Sequence, residues 1–210
     1  MSYMEWYQRD IATLGEAEYC RYRALMTEEK RQRVDRFRHI EDRKRSVLAE
    51  LLARQAVARR CGRPEAELVF AADARGKPYV EGLDIEISLS HAGALAVCAV
   101  SDRPVGIDVE QLVPVNLAAA RHVFTPEEQA ELLGHPPAPG ELTDTEDPVL
   151  LDRFYRLWTQ AEAYGKWSGA GIFTDTIPRR PREGFLTFRQ GEYRIAIFQS
   201  PLPPVLQSAP

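Results

Sequence analysis

Apolar and polar positions alternate along "VGIDVEQ", Val105 to Gln111. Val105, Ile107 and Val109 predict one face of a strand, and Asp108 and Glu110 then share the other. Upstream, Thr27-Glu28-Glu29-Lys30 gives a helix start, followed by Val34, Phe37 and Ile40 at helical spacing with a break near His39. From about Glu41 a long helix is predicted through Val47, Leu48, Leu51, Leu52, Ala56 and Val57, stopping at Cys61 with Gly62 as its C-terminal cap. "ELVFAADARGKPYVEG" predicts a strand, a Gly-Lys-Pro turn and a short extended piece, and "DIEISLSHAGALAVCAVS" predicts two strands joined at His91-Ala92-Gly93.

A similar order follows in the second half. Thr125-Pro126-Glu127-Glu128 opens a helix with proline at its first position. Residues 135–148 are rich in Pro, Gly and Asp and predict a surface loop. "LDRFYRLWTQAEAYGKWSGAG" predicts a long amphipathic helix ending at Gly169, and "GFLTFRQGEYRIAIFQS" a hairpin. Helices followed by antiparallel strands thus occur twice, and Asp-Arg-Phe occurs at 35–37 and again at 152–154. The expected fold class is α+β: two similar halves in one chain, residues 1–102 and 103–210, with antiparallel sheets packed on long helices.

Composition narrows the class. With 210 residues, 44% of them hydrophobic, the chain can bury a sizeable core. Its apolar runs are far shorter than a bilayer span, and its N-terminus lacks the basic and apolar regions of a signal peptide. Cys20, Cys61 and Cys98 have neither disulfide-frame nor zinc spacing, so a cytoplasmic protein is expected. Net charge is −4, but Lys30 to Arg45 holds eight bases against three acids. Such a patch suits nucleic acid, a phosphorylated cofactor or an acidic protein; a solvated helix face is equally compatible. The low pI of about 5.7 argues against a dedicated nucleic-acid binder.

The candidate chemistry begins with Asp108 and Glu110. Two carboxylates side by side repel, and a hard divalent cation held by oxygen ligands would neutralise them. A half-buried strand with a wet acidic face would read the same. Glu162 and Lys166, four apart on a helix, form either an ordinary ion pair or a third carboxylate and a cation at a phosphate site. Ser90 and His91, before Gly93, offer a hydroxyl and an imidazole at a strand end. Lys77 lies in a Gly-Lys-Pro turn that fixes where its ammonium points.

Taken together, "VGIDVE" and the later "LWTQAEAYGKWSGAG" resemble the two signature motifs of the 4′-phosphopantetheinyl transferases. "EEKRQRVDRFRHIEDRKRSVLAELLAR", "GKPYV" and "ISLSHAGALAVCAVS" are similar to the matching segments of the Sfp-type subfamily. The resemblance implies a monomeric, magnesium-dependent enzyme. Such an enzyme moves phosphopantetheine from coenzyme A to a serine of an acidic acyl, peptidyl or polyketide carrier protein, releasing adenosine 3′,5′-bisphosphate. It implies a site between the halves. Asp108, Glu110 and Glu162 would hold Mg²⁺, with Glu162 also the best candidate to accept the serine proton, and Lys166 would pair with the pyrophosphate. Ser90 and His91 would contact the 3′-phosphate, with Lys30 and Arg33 near the same end. Lys77 and Pro78 would flank the adenine, and Ser46 would fall beside the nucleotide. Neither nucleic acid nor membrane is an expected partner.

Two departures from the family pattern stand out. Ala161 replaces the lysine that normally precedes the motif glutamate, so a positive charge is missing beside Glu162. A coenzyme A binder with weakened catalysis is the alternative this raises. The family also adds a strand after "EYRIAIFQS", whereas this sequence ends in "PLPPVLQSAP", where Pro203 and Pro204 argue against a central strand.

Overall fold

The computed structural model describes residues 3–174 and 176–200. The expectation about Pro203 and Pro204 lies outside them. The first half runs β1 (Met4–Asp10), α1 (Glu16–Ala24), α2 (Glu28–Asp35), α3 (Ile40–Cys61), β2 (Phe70–Ala72), β3 (Pro78–Val80), β4 (Glu86–Ala92) and β5 (Leu95–Ser101). The second runs β6 (Gly106–Gln111), β7 (Val115–Asn116), α4 (Ala120–Val123), α5 (Pro126–Leu133), β8 (Asp144–Thr145), α6 (Pro148–Ser168), β9 (Phe185–Gln190) and β10 (Tyr193–Phe198). Thr125 and Glu128 close a capping box on α5, and Asp147 caps α6 with Pro148 at its first position.

Two antiparallel sheets carry the fold, with strand orders β1-β5-β4 and β6-β10-β9. In each, a strand before the helices pairs with the last strand of the hairpin that follows the long helix. The internal similarity therefore resides in topology. The two Asp-Arg-Phe runs are not equivalent, because Asp35 ends α2 while Asp152 lies inside α6.

Alternation in β5 explains the layering. Ala96, Cys98 and Val100 join the core beneath α3, whereas Leu95, Val97 and Ala99 pack against Val105, just before β6, Ile107 and Val109 of β6, and Ile195 and Ile197 of β10. The sheets thus share an apolar layer, which Trp6 and Phe188 extend at 4.9 Å between ring centroids. Their outer faces meet α3 and α6. β1 was not singled out by hydrophobic pattern, because both its faces are partly covered: Met4 and Trp6 face the shared layer, Tyr7 the α3 side.

Candidate active site

β6 turns its apolar residues to the shared layer and Gly106, Asp108 and Glu110 away from it. At Gly106 α6 packs tightly on the strand: a Cβ there would lie 1.8 Å from the Ala163 carbonyl oxygen. This approach brings the helix bearing Glu162 and Lys166 onto the strand bearing Asp108. On the other side stands β4, an edge strand whose Ser88 Oγ accepts from the Ile107 amide at 3.0 Å. One step of two residues along β4, Ser90 Oγ donates to Asp108 Oδ1 at 2.7 Å.

Lys166 joins these elements. Its ammonium donates to Asp108 Oδ1 at 2.7 Å, to Ser90 Oγ at 3.0 Å and to the Ile107 carbonyl at 3.2 Å. Of the two readings open for Glu162 and Lys166, the ordinary i,i+4 pair is not the one formed: the lysine's ion pair runs across layers to Asp108. Asp108 is only 3% exposed, and its Oδ2 is buried with no hydrogen-bond partner. Burial, and then the charges of Asp108 and Glu162, push Glu110 up to about 7, against the opposing pull of Lys166 and the Trp158 indole. Glu162 is also raised, by burial first and Asp108 second. The three carboxylates are therefore near enough to repel one another. Among the described residues, though, no three His, Cys, Asp or Glu side chains converge as a ready metal group. An orphaned carboxylate oxygen and mutual repulsion in an all-oxygen donor set fit a hard divalent cation.

Beside this cluster a cavity of about 800 Å³ opens, within the size range of small-molecule sites. Lys30, Arg33, Ser46, Lys77, Pro78, Ser90, His91 and Lys166 all line it. Their elements explain this. Lys30 and Arg33 are one turn apart on α2, Ser46 faces the cavity from α3, Lys77 comes from the β2–β3 turn and Pro78 opens β3, and Ser90 and His91 lie near the end of β4. Lys30 is paired with Glu50 at 2.6 Å, and Lys77 with Glu86 at 2.5 Å. His91 titrates below the usual imidazole range, through desolvation first and then the charges of Arg45 and Lys166.

Several participants lay outside the sequence-based set. Arg75 borders the cavity and reaches the Gly169 carbonyl at 3.4 Å, so a first-half turn touches the end of α6. Glu50 also borders it. Gly165 permits close packing of the returning loop, since a Cβ would lie 2.7 Å from Gly171. Ala161 is 2% exposed and packs in the cluster of Phe154, Leu157 and Ile172, in the core of the second half. The basic stretch is also partly neutralised, because Arg31 pairs with Glu28 and Arg45 with Asp42.

Comparison with known proteins gives two family matches. Residues 15–103 match the 4′-phosphopantetheinyl transferase N-terminal family and residues 104–198 the 4′-phosphopantetheinyl transferase superfamily. The chain is 34% identical over 160 residues to a 4′-phosphopantetheinyl transferase of Bacillus subtilis, covering 76% of this chain and 67% of the relative. It is 31% identical, with the same coverage, to the 4′-phosphopantetheinyl transferase Sfp of Bacillus subtilis strain 168. It is 35% identical to the psf-1 enzyme of Bacillus pumilus, covering 69% of this chain and 58% of the relative. The chain belongs to the 4′-phosphopantetheinyl transferase superfamily.

Proposed function

We propose that this enzyme transfers the 4′-phosphopantetheine group of coenzyme A to a serine of an acyl, peptidyl or polyketide carrier protein. The observation that carries the reading is the meeting of Lys166, Ser90 and Asp108 beside a cavity that also gathers Lys30, Arg33, Lys77 and His91. That arrangement suits a polyanionic nucleotide with its pyrophosphate toward Lys166. Lys30, Arg33, Ser90 and His91 would hold the 3′-phosphate, Lys77 and Pro78 would flank the adenine, and Ser46 would lie beside the nucleotide.

Asp108, Glu110 and Glu162 would hold Mg²⁺, which supplies charge neutralisation at the pyrophosphate. The chain's own residues provide positioning and proton transfer, which dominate phosphoryl-transfer catalysis. The carrier serine oxygen bonds to the phosphorus that bears the pantetheine, and the bond from that phosphorus to the bridging oxygen breaks. Glu162 accepts the serine proton directly or through water. Lys166 exchanges one of its three present acceptors for a pyrophosphate oxygen and steadies the departing adenosine 3′,5′-bisphosphate.

The enzyme acts as a cytoplasmic monomer in this reading; all three cysteines are free thiols, and no helix among the described residues is long and apolar enough to cross a membrane. The test is mass spectrometry of a carrier protein incubated with enzyme, coenzyme A and Mg²⁺. Addition of phosphopantetheine is expected, and its loss with Asp108→Ala. No addition to any carrier would refute transfer. The departure of Ala161 from the family's lysine raises a second reading, a coenzyme A binder with weak turnover, which titration calorimetry beside the same assay separates.

A further inference from the structure

An acidic side chain lines the cavity assigned to an anion. Glu50 of α3 is 2% exposed and borders the cavity with Lys30 and Ser46. Both its carboxylate oxygens are engaged: Oε2 accepts from Lys30 Nζ at 2.6 Å, and Oε1 from Arg54 Nε at 2.6 Å. Arg54, itself 3% exposed, donates to the backbone carbonyls of Leu25, Glu65 and Leu68 at 2.6, 3.1 and 2.9 Å. Its guanidinium lies over the Phe70 ring, 4.7 Å from the centroid, and Phe70 borders the cavity too.

These contacts form an ordered series. Main-chain oxygens from two separate segments fix Arg54, Arg54 fixes Glu50, and Glu50 fixes Lys30. Burying a lone carboxylate is strongly unfavourable, so Glu50 depends on both cations. Arg54 cancels its charge, and the surplus positive charge of the trio sits on Lys30. A lysine stem is flexible, and its ammonium has three donors. Glu50 takes one donor and restrains the stem, leaving the others for a ligand. Restraint before binding removes part of the ordering penalty that a free lysine would incur on contact with phosphate.

We infer that Glu50, backed by Arg54, is a positioning residue that aims Lys30 at the 3′-phosphate and thereby sets the preference for a 3′-phosphorylated nucleotide. The inference rests on the proposed function, which puts that phosphate at Lys30. Glu50 itself neither contacts the reacting atoms nor moves a proton.

The experiment is titration calorimetry with coenzyme A and 3′-dephospho-coenzyme A in the presence of Mg²⁺. The proteins are the parent, Glu50→Gln, Lys30→Met and the double variant Glu50→Met with Arg54→Met. Glutamine keeps the shape and loses the charge that grips Lys30. The double variant removes the anchor without leaving a buried charge, and it decides the matter if Glu50→Gln fails to fold. The parent is expected to prefer coenzyme A, and both Glu50 variants to lose roughly five- to tenfold of that preference, the scale of one charge-assisted contact, with the dephospho ligand changed less than about twofold. Equal weakening toward both ligands, or an unchanged or increased preference while Lys30→Met abolishes it, would overturn the positioning role alone. If Lys30→Met leaves the preference intact, the phosphate is not at Lys30 and the inference falls with that assignment. A parent that binds neither ligand would overturn the proposed function itself.

Discussion

Gly106→Ala tests the contact on which the site's geometry depends. The added Cβ would lie 1.8 Å from the Ala163 carbonyl oxygen and 2.8 Å from the Trp167 amide nitrogen, both backbone atoms that cannot rotate away. To reach even 3.0 Å, below which real Cβ contacts essentially never fall, α6 must retreat from β6 by about 1.2 Å. The retreat loosens Ala163 against Ala196 and Phe198, which are all buried between α6 and the sheet. A radial gap of that size forfeits about half or more of each dispersion contact along the seam. Overpacking at a rigid site costs about 3 kcal/mol. For a chain of this length that corresponds to a melting temperature lower by about 6–12 °C. Function should suffer further, because Asp108 lies two residues beyond Gly106, and Glu162 and Lys166 flank Ala163. A displacement of about 1 Å at a positioned group is worth roughly a hundredfold in rate. Calorimetric melting and carrier-modification rates, measured well below the variant's transition, check both parts. A melting temperature within about 2 °C of the parent, or full turnover in a folded variant, would refute the reasoning.

Glu110 and Glu162 hold protons more tightly when folded than when unfolded, so metal-free protein should lose stability as pH rises from the ordinary glutamate range through about 7. Melts at pH 5 and pH 8 in chelator should show the fall, and Mg²⁺ should reverse it at pH 8; a metal-independent profile would count against the carboxylate trio as ligands. Arg33, Arg36, Arg38 and Lys44 make no ion pair among the described residues, so added salt should raise the KM for an acidic carrier more than it lowers kcat. A flat salt response in steady-state kinetics would exclude such steering. Ala161→Lys should destabilise the fold by about 1–3 kcal/mol, because a long cation must enter a packed cluster. An unchanged melting temperature would mean that the lysine reaches solvent.

The elements that carry a single apolar face were legible in the sequence. β6 alternates cleanly, α3 and α6 keep helical spacing, and both end in left-handed glycines, Gly62 and Gly169. β1 carried no such signal, since it is covered on two sides, and α1 buries only Tyr22. The repeated Asp-Arg-Phe pointed to similarity for the wrong reason: Asp35 pairs with Arg23, whereas Asp152 pairs with Arg189 and Arg194 of the second sheet. The motifs picked out candidate residues that gather around one cavity and its carboxylate cluster. Spacing along one helix could not reveal that Lys166 would choose Asp108 across a layer, or that Lys30 would rest on Glu50. Those pairings depend on which faces the sheets and helices present to each other.

The apolar layer between the two sheets belongs to neither half alone. Leu95, Val97 and Ala99 are covered by Val105, Ile107, Val109, Ile195 and Ile197, with Met4, Trp6, Phe188 and Tyr193 packed at the margins. A chain severed between Asp102 and Pro104 would keep every residue of the site, yet each fragment would present a greasy sheet face to water. The halves should therefore melt as one cooperative unit, with no stable half-folded species between native and denatured protein. Catalytic competence then becomes a property of the intact assembly: a partly unfolded molecule would not retain a weaker site, because the strand bearing Asp108 and the strand bearing Ser90 would no longer be neighbours.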